Sequence, residues 1–194
     1  MATTALKEWA VAVKALREGR QVLLVRKGGI SEETRDFRIQ AERFLFLPTY
    51  EHQRRDLLQP PFQANLDAIL AESRDPARLR IDTWAELTDL FEITEPAQVE
   101  ALAPFYCFST QYAEERLRWK PRHPLLVMAV RAHRLKQPIE VASGPEFGGC
   151  KSWLTLDEDL PLGELIPALD EAAYTAQIAA VHEALSRVPA GAGH

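Results

Sequence analysis

Two unbroken apolar runs constrain this chain most: Val22-Leu23-Leu24-Val25 and Phe44-Leu45-Phe46-Leu47. In an extended strand successive side chains point to opposite faces, so a run with no polar position must be covered on both sides. That demands a sheet with packed layers on both faces, and it predicts a central place for the first run. Each run leads to a polar cluster. Arg26-Lys27 precedes Gly28-Gly29, and Glu51-His52-Gln53 follows Pro48-Thr49-Tyr50. Strand ends that deliver charged side chains into loops are a common construction for a binding site.

The rest of the chain fills in around these runs. Leu6, Trp9, Val13 and Leu16 recur at helical spacing with Lys7, Glu8, Lys14 and Arg17 off the stripe. They predict an amphipathic helix that Gly19 stops. Phe37-Arg38-Ile39 predicts a short strand across from the second run. Pro60-Pro61 opens a short helix carrying Phe62, Leu66, Ile69 and Leu70, broken at Asp75-Pro76. Leu79, Ile81, Thr83 and Ala85 alternate with polar residues and predict a half-exposed strand reaching Ile93. Thr94-Glu95-Pro96 starts a helix that ends before Pro104, and Ser109 caps another that runs to Trp119.

From Leu125 to Arg131 lies the longest strand candidate. Its periodicity also suits a helix, but the flanking Pro121 and Pro124 and the β-branched Val127 and Val130 favour a strand. Ile139–Ala142 and Ser152–Leu156 are expected as separate short strands around the Gly-rich loop 144–149. The Ala-rich stretch from Pro167 to Ser186 predicts an acidic C-terminal helix, with Asp170 and Glu171 in its first turn. Residues 189–194 are expected to be disordered. No repeat, heptad run or linker divides residues 1–194, which predicts a single domain long enough to bury a core. The order of elements predicts an α+β fold: one mixed sheet of about five or six strands with helices packed on it, plus the C-terminal helix.

Composition narrows the setting. Hydrophobic residues make up 46% and charged residues 26% of the chain, and no apolar run approaches the roughly 18 residues of a membrane span. Met1 to Glu8 lacks the basic and apolar blocks of a signal peptide. Cys107 and Cys150 form no ligand set. A reduced, cytoplasmic setting without membrane or structural metal is expected, and no cofactor is specified. The net charge of −5 is unevenly spread. Arg116, Arg118, Lys120, Arg122, Arg131, Arg134 and Lys136 share a stretch with no acid. Asp157, Glu158, Asp159, Glu164, Asp170, Glu171 and Glu183 share one with no Lys or Arg. The acidic block either pairs with the basic one or leaves it open to a polyanion.

Several short motifs stand in one order along the chain: Lys7-Glu8-Trp9, Arg26-Lys27-Gly28-Gly29-Ile30, Pro48-Thr49-Tyr50-Glu51-His52-Gln53, Glu115-Arg116-Leu117, Lys120-Pro121, Pro124-Leu125 and Gly149-Cys150-Lys151-Ser152-Trp153. Together they resemble the family known as domain of unknown function 1802, over roughly Leu6 to Leu156. That family has no established activity and no assigned catalytic residues. The association of some members with restriction-type nuclease modules implies a nucleic-acid context.

Five sites are candidates from the residues themselves. Arg26, Lys27, Gly28 and Gly29 put two cations beside a turn with backbone N–H groups, suited to a phosphate or carboxylate, or simply a charged strand end. Glu51 and His52, with Gln53, suit a general base in a hydrolase, or an ordered corner. A Glu42–Glu51 pair would hold a metal only with a nearby Lys, and the usual nuclease spacing is missing. Arg116 and Lys120 are four apart, so on a helix they share a face that can contact phosphates, with Tyr112 and Trp119 as stacking surfaces. Cys150 beside Lys151 suits either a nucleophile or a small buried residue. A phosphate-bearing or nucleic-acid partner leads this reading. A nucleic-acid binder would show an open groove continuous with the Arg116–Lys136 patch, a hydrolase would gather Arg26, Glu51 and His52 in one closed pocket, and a non-catalytic structural or partner-binding subunit would do neither.

Overall fold

The apolar runs become β2 (Leu23–Arg26) and β3 (Arg43–Thr49). The computed structural model describes residues 3–27, 39–119, 123–149, 151–156 and 160–188. The remaining strands are β1 (Thr3–Trp9), β4 (Arg78–Ile93), β5 (Leu125–Ala142), β6 (Trp153–Leu156) and β7 (Leu165–Pro167). The helices are α1 (Ala10–Arg17), α2 (Pro60–Ala71), α3 (Pro96–Leu102), α4 (Thr110–Arg118) and α5 (Glu171–Ser186). Among the described residues one mixed, seven-stranded sheet runs in the order β2-β5-β4-β3-β1-β6, with β7 beside β5. Only β1 and β3 pair in parallel among the described residues. The α+β class holds.

Three expectations need correction. The predicted first helix is a strand from Leu6 to Trp9, the last four residues of β1, and α1 begins only at Ala10. β1 has a ladder on each side, Ala5 facing Leu45 of β3 and Leu154 of β6. Two sets of backbone hydrogen bonds override a local helical spacing. Second, β2 lies at an edge rather than in the centre. It is still buried on both faces because the sheet curls. Leu24 of β2 and Leu6 of β1 share one core with Phe44, Phe46, Met128 and Trp153, although four places separate their strands in the order. Leu23 and Val25 face the other core, built with the helices. Third, Ile139–Ala142 continues β5 instead of forming its own strand. Between the pairs Ile81–Ile139 and Thr83–Arg134, Asp82 alone opposes residues 135–138. That wide bulge accommodates Pro138, which has no N–H to offer the ladder.

Other elements follow the local signals. Ser109 accepts the Tyr112 N–H at 3.3 Å, and Asp170 accepts that of Ala173 at 2.7 Å. Both are side-chain caps of orphan helix donors. Gly19 takes φ +67°, and a Cβ there would sit 2.9 Å from the Ala168 carbonyl oxygen. Ile39 is in no strand; Phe37, Arg38 and residues 189–194 lie outside the described residues. No helix among the described residues is long and apolar enough to cross a membrane.

Helices α3 and α4 enclose three ionisable groups. Burial pushes the Tyr106 and Tyr112 phenols well above their ordinary 10.0, and the Cys107 thiol well above its ordinary 9.0. All three stay protonated in the fold while the unfolded chain ionises them, so above about pH 9 the unfolded state binds fewer protons and stability falls as pH rises. Stability from these groups is complete below pH 9 and declines through pH 10 and beyond. Equilibrium unfolding at pH 8 and pH 10.5 should show the loss, and Tyr106→Phe should flatten it. An unchanged slope in that variant would show that Tyr106 ionises freely in the native state.

Candidate functional site

The C-terminal ends of β1, β2 and β3 meet at the start of α1. There Glu8, 5% exposed, accepts the Trp9 N–H at 2.7 Å and the Arg26 Nη1 at 2.9 Å. Gln53 Oε1 accepts the Val11 N–H at 3.1 Å, an orphan donor in the first turn of α1. Thr49 Oγ1 donates to the Glu8 carbonyl at 3.3 Å. Lys27, also buried, donates from Nζ to the Leu117 carbonyl in the last turn of α4 at 3.2 Å and to the His123 carbonyl at 2.5 Å. A cation at a helix C-terminus meets both its orphan carbonyls and its dipole. Arg116 lies over the Tyr112 ring at 4.3 Å, and that ring stacks on Phe108 at 4.2 Å.

Four residues singled out from sequence, Arg26, Lys27, Gln53 and Arg116, therefore gather at one end of the sheet. The residue that ties Arg26 there, Glu8, was not among them. An isolated Glu on an apparent helix face gives no sign of burial. Glu51 and His52 sit exposed on the turn after β3, His52 at φ +60°. Glu42 precedes β3 and Glu51 follows it. Seven residues of strand, at about 3.3 Å each, hold them roughly 20 Å apart. One ion cannot bridge that distance. Among the described residues no three His, Cys, Asp or Glu are grouped to hold a metal. Gly28, Gly29, Lys120 and Cys150 lie outside the described residues.

The basic stretch meets the acidic one. Arg131 makes two hydrogen bonds to Glu171 at 2.7 and 3.1 Å, and Lys136 pairs with Glu164 at 2.7 Å. Arg118 pairs with Glu114 on its own helix at 2.6 Å. His133 stands edge-on to Trp84, and burial pushes its pKa below the ordinary value. Lys136 and Arg131 of β5 are thus met by acids just before β7 and at the start of α5.

An open cleft of about 630 Å³ lies elsewhere, and among the described residues none from 116 to 136 lines it. Its walls are the face of α1 carrying Lys14 and Arg17, the turn at Pro48 and Tyr50, the segment 72–75, and the beginning of β4 with Glu140 opposite. Asp82 at its floor takes an ion pair from Arg17 and lies 3.9 Å from Arg80, and Arg78 pairs with Glu140 at 3.1 Å. Arg78, Arg80 and Asp82 alternate along β4, which brings their side chains to one face. Arg74 caps the end of α2 through the Ile69 carbonyl, and its guanidinium lies 3.9 Å above the centre of the Tyr50 ring. Burial raises the Tyr50 pKa, partly opposed by Arg74, so the phenol stays protonated at neutral pH. Sequence reasoning missed Arg74, Arg78 and Arg80. Three arginines within seven residues were a visible signal, but Asp75-Pro76 divides them between two elements that only the fold reunites.

A family model described as domain of unknown function (DUF1802) matches residues 5–180. No curated protein matches the chain. Two solved structures, a serine-to-alanine and a tyrosine-to-phenylalanine variant of ZmASCH from Zymomonas mobilis, are similar in overall shape. The first is 11% identical with a TM-score of 0.46, covering 92% of this chain and 95% of that one. The second is 12% identical with a TM-score of 0.44, covering 91% and 96%.

Proposed function

The chain belongs to the DUF1802 family, and within that frame we propose that it binds a phosphate-bearing partner, nucleic acid foremost, in the cleft between α1 and β4. The observation that carries this reading is the exposed wall of Arg74, Arg78 and Arg80. Arg26 and Lys27 are engaged within the fold, whereas the Arg78–Glu140 pair is 59% and 53% exposed. An exposed pair is worth at most about 1 kcal/mol, so a phosphate can replace the carboxylate at little cost. Five cations and four acids line the cleft. This balance supports selective docking along one wall more than indiscriminate attraction by net charge. Glu51 and His52 directly follow Tyr50 and are proposed to orient the ligand at the rim, with Gln53 holding that turn against α1. Their exposure favours this role over that of a hydrolase centre, which needs water excluded.

Binding of a fluorescent oligonucleotide should weaken as salt rises, because phosphate contacts release counterions. Arg78→Ala with Arg80→Ala should reduce the slope of log affinity against log salt by about one per arginine, while Lys136→Ala leaves it unchanged. Affinity that ignores salt, or a double variant with the parent slope, would count against the cleft.

A further inference from the structure

We infer that the ligand of this cleft is single-stranded and that one of its unpaired bases stacks on the Arg74 guanidinium, extending the Arg74–Tyr50 stack; the inference rests on the nucleic-acid reading above. Three observations carry it. The first is the stack itself. The Arg74 Cζ lies over the Tyr50 ring, 3.9 Å from its centre, and the side chain is exposed and lines the cleft, which leaves guanidinium surface open to a ligand. Guanidinium planes are platforms for nucleobases whose faces are available. Inside a duplex both faces of each base are already covered by neighbours, so away from its ends only an unpaired base can use such a platform.

The second is preorganisation. Arg74 also donates to the Ile69 carbonyl at the end of α2, so its side chain is held at two points before any ligand arrives. A guanidinium fixed in advance loses less freedom on binding than a solvated one.

The third is size and layout. A cleft of about 630 Å³ falls in the range of about 300–1,000 Å³ typical of sites that take compact organic groups. A nucleotide fits that description and a double helix does not. Arg78 and Arg80, two apart on β4, share the face that lines the cleft beside the stack. They are placed to hold the backbone of the strand whose base lies on Arg74. The arrangement combines sequence-tolerant stacking with backbone contacts.

The test compares three labelled probes on the full chain: a single-stranded octamer, its blunt duplex, and an octamer of the same phosphates with abasic sites throughout. The single strand should bind at least about tenfold tighter than the duplex and the abasic strand. Arg74→Lys keeps the charge but removes the plane. It should weaken the single strand by about fivefold to a hundredfold, leave the abasic strand unchanged, and preserve the salt slope. Equal binding of single strand and duplex, equal binding of the abasic strand, or an Arg74→Lys loss shared by all probes would overturn the stacking inference and leave the phosphate reading standing. Failure of every probe to bind would overturn both.

Discussion

Replacing Glu8 by Ala is expected to destabilise the fold by about 3 kcal/mol or more, among the largest effects of any single polar substitution in the chain. Its carboxylate is 4% exposed and sits 2.9 Å from an Arg26 guanidinium that is itself 13% exposed. Removing it takes a buried negative charge from beside a nearly buried positive one and takes the acceptor from the Trp9 N–H. It also loosens the junction where β1 hands over to α1. For a protein of this size the midpoint should fall by about 6 °C or more. Glu8→Gln retains an acceptor and should cost less. Changing both partners, Glu8→Leu with Arg26→Met, should recover much of the loss, because a buried ion pair contributes little beyond an apolar pair of similar volume. Urea unfolding of the four proteins checks this. A Glu8→Ala loss under 1 kcal/mol would mean that Arg26 does not depend on that carboxylate.

Phe44→Ala is the second large effect, at about 3–5 kcal/mol. The ring is 1% exposed and meets Phe46 and Trp153 edge-on, with centroids 5.3 and 5.1 Å away. It fills the interior that the curled sheet encloses, where β1, β2, β3, β5 and β6 all contribute side chains. Strands held by ladders on both sides cannot collapse far into the cavity, so the cost lies in the upper part of the range for large-to-small changes. Phe44→Leu keeps most of the volume and should cost under about 1.5 kcal/mol. Denaturant unfolding with an unchanged slope gives the comparison. Similar losses for the two variants would show that packing around the ring, rather than its volume, carries the effect.

Much of the fold was legible. The buried character of β2 and β3, the alternating reach of β4 to Ile93, the start of α2 at Pro60 and the cap at Ser109 are local signals, and the structure keeps each. The candidate site was legible in part. Arg26, Lys27, Gln53 and Arg116 do gather, yet Arg26 and Lys27 mainly serve the fold there, answering Glu8 and the carbonyl end of α4. The cleft was not legible. Its wall joins residues from both sides of Asp75-Pro76 to a tyrosine more than twenty positions earlier.

By itself, the order of residues determined which segments must be buried, where α2, α3 and α4 begin, and which stretches carry each sign of charge. These depend on neighbours within a few positions. Only the tertiary structure decided that residues 3–9 form a strand, that β2 lies at an edge, and that β5 runs on past Pro138. It also decided that Arg74 meets Tyr50 and that the acidic end of the chain answers the basic one. Each of these depends on a ladder, a stack or an ion pair between residues far apart in the chain, whose free energy outweighs local propensity and has no trace in local spacing.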